Sequence, residues 1–302
     1  MGMADARPLA SPPAKADFLQ LRHEVGNVLL VLGTHAGLVA WFWLAYRVLP
    51  LALYVPLSLV ACVIHQRAMS EWIHEAAHFN LLRTKRWNDL LGDVLAGVWF
   101  ALPTASYRAT HFQHHARDAF FLPGDRDTAF LLVGSRRELR HAVLRDVLGL
   151  TVATQYLRFR DSSGQTAATP RFLAVTAIAQ ATLLSTLWWL GRLDAWLLYY
   201  ASLVTLYPLM NRVRTYGQHA ELHGDACRLR GSTTSRTMDS GIVGRLLFAS
   251  PRLLYHHEHH RWPNLPWRAL PPLCRPDEDE NRYARSYARL VARTYRALPE
   301  RG

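Results

Sequence analysis

Lysine is nearly missing from this 302-residue chain: of 35 lysines and arginines, only Lys15 and Lys85 are lysine. Cysteine is scarce too. Cys62, Cys227 and Cys274 are far apart and form no Cys-x-x-Cys pair, which excludes a disulfide framework and a thiolate zinc site and fits a reducing compartment. Acids number only 23, leaving a net charge of +12. The arginines are spread between apolar runs, with no zinc-finger or RNA-binding signature, so nucleic acid is a poor match for that charge. Residues 1–17 are rich in Ala and Pro and lack the basic start and short apolar core of a signal peptide. A disordered cytoplasmic tail is expected there.

Apolar residues make up 50% of the chain, with 10 tryptophans. Apolar and arginine-rich together point to a membrane, where planar guanidinium groups bind anionic headgroups. Four stretches approach the ~20 residues a helix needs to cross a bilayer: 28–49, 51–68, 172–190 and 195–210. Pro50 divides the first pair and Gly191-Arg192-Leu193-Asp194 the second, so the expectation is two hairpins with very short outer turns. Arg67, Arg83, Lys85, Arg86, Arg158, Arg160, Arg171, Arg212 and Arg214 flank one side, against Arg47 and Arg192 on the other. The side with more Lys and Arg is cytoplasmic by the positive-inside rule, which puts both termini there. The arginine excess further points to a high-GC bacterial source and an inner membrane.

Between the hairpins, 88–102 reads as a shorter, half-embedded apolar helix ending at Pro103, and Ser135-Arg136-Arg137-Glu138 as a capping box opening an arginine-rich helix toward Phe159. At about 100° per residue, 277–298 forms an amphipathic helix. Tyr283, Tyr287, Leu290, Val291 and Leu298 share one face; Arg282, Arg285, Arg289, Arg293 and Arg296 take the other. Such a helix either lies on an anionic bilayer or packs on the chain's own cap. The expected organisation is a tail over 1–26, a membrane domain with its cap over 27–276, and the basic helix over 277–302.

Three histidine clusters dominate: His74-Glu75-Ala76-Ala77-His78, His111-Phe112-Gln113-His114-His115 and His256-His257-Glu258-His259-His260, with His219 standing alone. Histidines three and four apart lie on one helical face, and all the clusters fall on the predicted cytoplasmic side. Nine can converge: His74, His78, His111, His114, His115, His219, His256, His259 and His260. His257, turned about 100° from His256, is left out. Neutral imidazole binds iron, zinc and copper, and nine exceed what one ion accepts. Two metal ions are therefore expected. Glu75, Glu221, Glu258, Asp125 and Asp127 are candidates to orient imidazole N–H groups. His23, His35, His65, His141 and His223 read as ordinary hydrogen-bonded residues. The segment His74–His78 also matches the H-E-x-x-H pattern of zinc proteases, with Glu75 as base, but an intramembrane protease uses one cluster and leaves the rest idle. A metal carrier needs polar groups deep in its spans, and these offer little beyond His35 and Gln180.

An H-x-x-x-H box followed by two H-x-x-H-H boxes, with membrane spans between, resembles the membrane fatty acid desaturase family, a superfamily that includes hydroxylases and carotenoid ketolases. Asn88-Asp89-Leu90-Leu91-Gly92 after the first box, Tyr107-Arg108 before the second, and the proline-punctuated stretch from Arg261 to Pro271 extend the likeness over 28–271. The spans and flanking charges predict an all-α integral membrane protein of four transmembrane helices in two hairpins with a cytoplasmic helical cap, and the resemblance implies that this cap carries a di-iron site. It also implies O2 as co-substrate, oxidation of an unactivated C–H bond on a lipid or fatty acyl chain, and a separate ferredoxin, rubredoxin or cytochrome as electron donor. His219 takes the place of the family's solitary ligand. Some acyl-CoA enzymes of the family carry an asparagine four residues earlier; here that residue is Thr215.

Overall fold

The computed structural model describes residues 13–116, 119–154, 169–224, 226–276 and 279–300. After a helical turn at Lys15–Phe18, two long helices form the first hairpin: α1 (Leu21–Val48, 28 residues) and α2 (Leu51–Ala77, 27 residues), divided as expected at Pro50. At 1.5 Å per residue, α2 is about 40 Å long and overshoots a ~30 Å hydrocarbon core by two turns. Its burial follows that division. Leu51, Leu53, Leu57 and Val60 are exposed, whereas 62–77 are buried except for Ile64 and Ser70. The first half suits lipid, and the second half is enclosed by the cap.

A bent pair follows. α3 (Lys85–Leu95) and a 3-10 turn at Gly97–Trp99 meet α4 (Thr104–His115) at 92°, the shape of a broken span or re-entrant loop. The expected half-embedded segment is thus the first arm of an elbow, held by Asp93 Oδ1 accepting from Thr104 N at 2.7 Å. α5 (Arg136–Val147) starts at the predicted capping box. Ser135 Oγ accepts from Glu138 N at 3.2 Å, and the Glu138 carboxylate reaches back to Gly134 N at 2.6 Å. The expected run toward Phe159 is interrupted at Leu148-Gly149, where Gly149 takes a φ of 76°, and residues 150–154 are helical again; 155–159 lie outside the described residues.

The second hairpin contains α6 (Pro170–Trp189), α7 (Leu193–Val204) and α8 (Leu206–His219). Among the described residues three helices, α1, α2 and α6, are long and apolar enough to cross a membrane, or up to four if the bent pair is one span. The stretch expected as the last span, 195–210, breaks at Thr205, whose hydroxyl turns back onto Ala201 O at 2.7 Å. At the turn between α6 and α7, Arg192 joins the hairpins by donating to Asp194, Phe42 O and Tyr54 Oη at 2.9–3.0 Å. His35 and His65 are hydrogen-bonded to each other, to Leu95 O and to Tyr199 Oη, as expected of core histidines.

The cap continues with an antiparallel pair, β1 (Glu221–His223) and β2 (Ala226–Arg228), and with β3 (Thr237–Met238). Three short helices follow: α9 (Gly241–Leu247), α10 (Pro251–Leu254) and α11 (His256–Arg261). β4 (Tyr283–Ala284) pairs in parallel with β3, and α12 (Tyr287–Ala297) closes the described chain. The helix expected over 277–298 therefore begins at Tyr287. Strand pairing occupies the backbone before it, with Thr237 N donating to Arg282 O and Asp239 N to Ala284 O, and Ser286 supplies the N-cap. Tyr287, Leu290 and Leu298 are buried against the protein's own cap, so this face packs internally.

α12 approaches α8 where the latter has no side chain: a Cβ built on Gly217 would lie 2.4 Å from Tyr287 Cε1. Alanine favours a helix over glycine by about 1 kcal/mol, but a contact this short cannot be accommodated without shifting α12. Gly217→Ala is expected to destabilise the protein by about 1–3 kcal/mol, read as a lower thermal midpoint in detergent. An unchanged or higher midpoint would show that the α8–α12 contact does not constrain the cap.

Candidate metal centre

Each histidine cluster occupies a helix end. His74 lies on the last turn of α2 and His78 is its C-cap; His111, His114 and His115 end α4; His219 ends α8; His256, His259 and His260 lie on α11. Specific bonds hold these ends together. Arg108, on the turn before His111, donates to Ala77 O at 2.7 Å and Ala76 O at 3.0 Å, and Asn88 donates to Ala76 O at 2.8 Å. These satisfy carbonyls that a helix C-terminus leaves open and tie the first histidine box to the second. Lys15 Nζ adds a bond to His78 O at 2.9 Å.

The nine predicted histidines form two groups: His74, His78, His111, His115 and His259; and His114, His219, His256 and His260. Within each group, one nitrogen per residue lies within 4.8 Å of all the others. The boxes divide between them in a complementary way. The second contributes two members to the first group and one to the other, and the third does the reverse. His257 is in neither group; its Nδ1 lies 3.0 Å from Ser235 O.

The nitrogens are too close to be explained by hydrogen bonding alone. His219 Nδ1 faces Thr234 O at 3.0 Å and must carry the proton there, which leaves Nε2 as a lone pair. That Nε2 lies 2.9 Å from His256 Nε2, which lies 3.1 Å from His260 Nε2. A single proton on His256 can bridge one of these contacts, not both. In the first group, His111 Nδ1 is held by Asp127 Oδ2 at 2.6 Å, and His115 Nε2 lies 3.0 Å from both His111 Nε2 and His259 Nε2. Both ring nitrogens of His74 and Nε2 of His78 are buried without a hydrogen-bond partner among the described residues. Ligands about 2.1 Å from one ion and at right angles to each other stand about 3.0 Å apart. The donor set fits a metal ion in each group.

Burial favours the ligating, neutral form. It pushes the pKa values of His219, His256, His259 and His260 well below the ordinary value, with neighbouring imidazoles adding to the shift, and that of His78 down to about 3. Of the carboxylates considered from sequence, Asp127 and Asp125 face rings of the two groups: Asp127 meets His111 Nδ1, and Asp125 meets His114 Nδ1 with both oxygens at 3.1 Å. Glu258 accepts from Thr237, and Glu221 binds Arg228 and His223. Glu75 accepts from Trp267 N at 3.3 Å and lies 3.6 Å from His74 Nδ1, beyond hydrogen-bond range. The Thr234 carbonyl has no sequence signature, because any residue can supply it.

Both groups border one cavity, which is lined by His74 and His111 from the first and by His114, His219 and His256 from the second. A larger apolar groove, about 690 Å³, lies among α5, α8 and α12 but contains no imidazole. The architecture is that of a helical membrane protein whose two buried histidine clusters can bind metal. The fatty acid desaturase family model matches residues 48–290, and the chain belongs to that family. No significant match occurs among curated proteins.

Since Asp127 and Asp125 fix the tautomers of His111 and His114, Asp127→Asn and Asp125→Asn are each expected to weaken metal binding by about 10–100-fold. Metal retained per chain after graded chelation measures this. Retention equal to wild type would contradict the orienting role.

Proposed function

We propose that this protein is an O2-dependent di-iron oxidase of unactivated C–H bonds, with desaturation of a fatty acyl or lipid substrate as the favoured reaction and hydroxylation or ketolation as the close alternative. The observation that carries this reading is one cavity bordered by two adjoining groups of largely buried imidazoles. His74, His78, His111, His115 and His259 would hold one iron, and His114, His219, His256 and His260 the other. A bound iron pair supplies the redox capacity to reduce O2 and take hydrogen from a carbon. The protein's part is positional and protective. Asp125, Asp127 and the Thr234 carbonyl orient three of the rings, while Ile73, Phe100, Leu102, Phe130 and Leu253 give the cavity apolar walls that limit water. Imidazole suits iron and resists the oxidation that would destroy a thiolate ligand.

A separate ferredoxin, rubredoxin or cytochrome would supply the electrons; the 302 residues hold no rubredoxin-type cysteine pairing. The charge bias between flanks and outer turns supports a cytoplasmic site and cytoplasmic termini in a bacterial inner membrane. Family membership and the two imidazole groups favour this reading over a zinc protease centred on Glu75, for His74 and His78 share their group with three histidines from other helices.

Mass spectrometry of lipids and soluble acids from cells expressing the protein with a reducing partner tests the reaction. Loss of two hydrogens indicates desaturation, gain of oxygen indicates hydroxylation, and an unchanged profile from iron-replete protein counts against both. His115→Ala and His219→Ala, one from each group, are each expected to lower iron per chain and abolish the product. Full activity in either variant would contradict the two-ion assignment.

A further inference from the structure

The cavity bordered by the imidazoles is small, about 270 Å³, just below the roughly 300–1,000 Å³ typical of small-molecule sites. Its walls are also more polar than an acyl chain requires, because Arg126, Arg214 and Asn211 line it. Arg214 counts as a membrane-flanking charge in the sequence, but the structure places it on the cavity side of α8. Its Nη2 donates to Asn211 Oδ1 at 2.6 Å, and its Nε is buried without a hydrogen-bond partner among the described residues. Asp127, the carboxylate on the same wall, is engaged by His111. A half-buried guanidinium with an unused Nε–H is costly unless an anion meets it.

The position of this cation sets a spacing. Arg214 stands five residues before His219, about 7.5 Å along the helix axis. Helical side chains lean toward the N-terminus, and the bond to Asn211, three residues earlier, shows that lean. The guanidinium therefore reaches back along α8, away from His219 in the direction of the helix axis. A carboxylate fits the planar fork with two parallel hydrogen bonds, whereas a thioester or ester presents only a neutral carbonyl at that point.

We propose that Arg214, oriented by Asn211, is the carboxylate-binding residue of this cavity, so that the substrate is a free acid with its reacting carbon several bonds from the carboxylate. The inference rests on the reading of this cavity as the place where a C–H bond is oxidised, and it narrows the substrate from any acyl chain to one with an anionic head inside the protein.

The test uses the full-length, iron-loaded protein in lipid nanodiscs, titrated calorimetrically with hexanoate and with its neutral isostere hexanamide, and with iron per chain measured on the same samples. Wild type is expected to bind hexanoate about ten- to a hundredfold more tightly, the size of a hydrogen bond to a charged group. Arg214→Gln should remove that preference at unchanged iron content, and Arg214→Lys should recover part of it. Equal binding of the two probes by wild type, or a preference that survives in Arg214→Gln, overturns the proposal. So does loss of iron from Arg214→Gln together with loss of binding, which would make Arg214 a support of the metal site. If Arg214→Gln does not fold, Asn211→Leu decides in the same way: a weakened preference supports the subsite and an unchanged one overturns it. A wild type that lacks iron but prefers hexanoate would leave the subsite standing and defeat the oxidase reading, so the two failures are distinguishable.

Discussion

Lone pairs on neighbouring imidazoles repel one another, and the cap brings several together. His219, His256 and His260 present Nε2 atoms 2.9–3.1 Å apart while the Thr234 carbonyl holds the His219 proton on the opposite ring nitrogen. One shared proton relieves one such contact; a cation relieves all of them. This requirement organises the rest of the structure, because nine side chains from four helices meet only if those helix ends are fixed to within a fraction of an ångström.

Much of the molecule serves that end. α2 is two turns longer than a bilayer needs, so it carries His74 and His78 past the lipid and into the cap. Arg108 and Asn88 then close its open carbonyls from the segments that lead to the next histidine box, which couples the end of one helix to the position of another. On the opposite flank, Gly217 lets α12 lie directly on α8 and so supports the turn that presents His219. The turn between α6 and α7 is held by Arg192, Asp194 and Tyr54, and the hairpins are thereby joined at both ends.

The convergence of eight of the nine histidines was legible because i, i+3, i+4 spacing is a statement about helical geometry that needs no tertiary information, whereas the isolated His219 rested on the predicted topology and the family resemblance. How each box is shared between two groups was not legible, since that depends on which neighbouring helix faces each ring. Apolar length located α1, α2 and α6, but the break at Thr205 passes unnoticed in averaged hydropathy. The amphipathic pattern over 277–298 reads as one helix, and only the pairing of β3 with β4, from segments distant in sequence, explains why the helix waits until Tyr287. Asp125 and Asp127 could be named as candidates, while Thr234 could not, because its contribution is a backbone oxygen. Arg214 illustrates the same limit: a cationic residue near a predicted span end reads as a topology signal until packing shows that it lines the cavity.

The central claim is that two separate ions fill the two imidazole groups. Anomalous diffraction at the iron edge from crystals of iron-loaded protein tests it most directly. The account predicts two iron peaks, one among His74, His78, His111, His115 and His259 and one among His114, His219, His256 and His260. A single peak, or iron bound outside these groups, would contradict it.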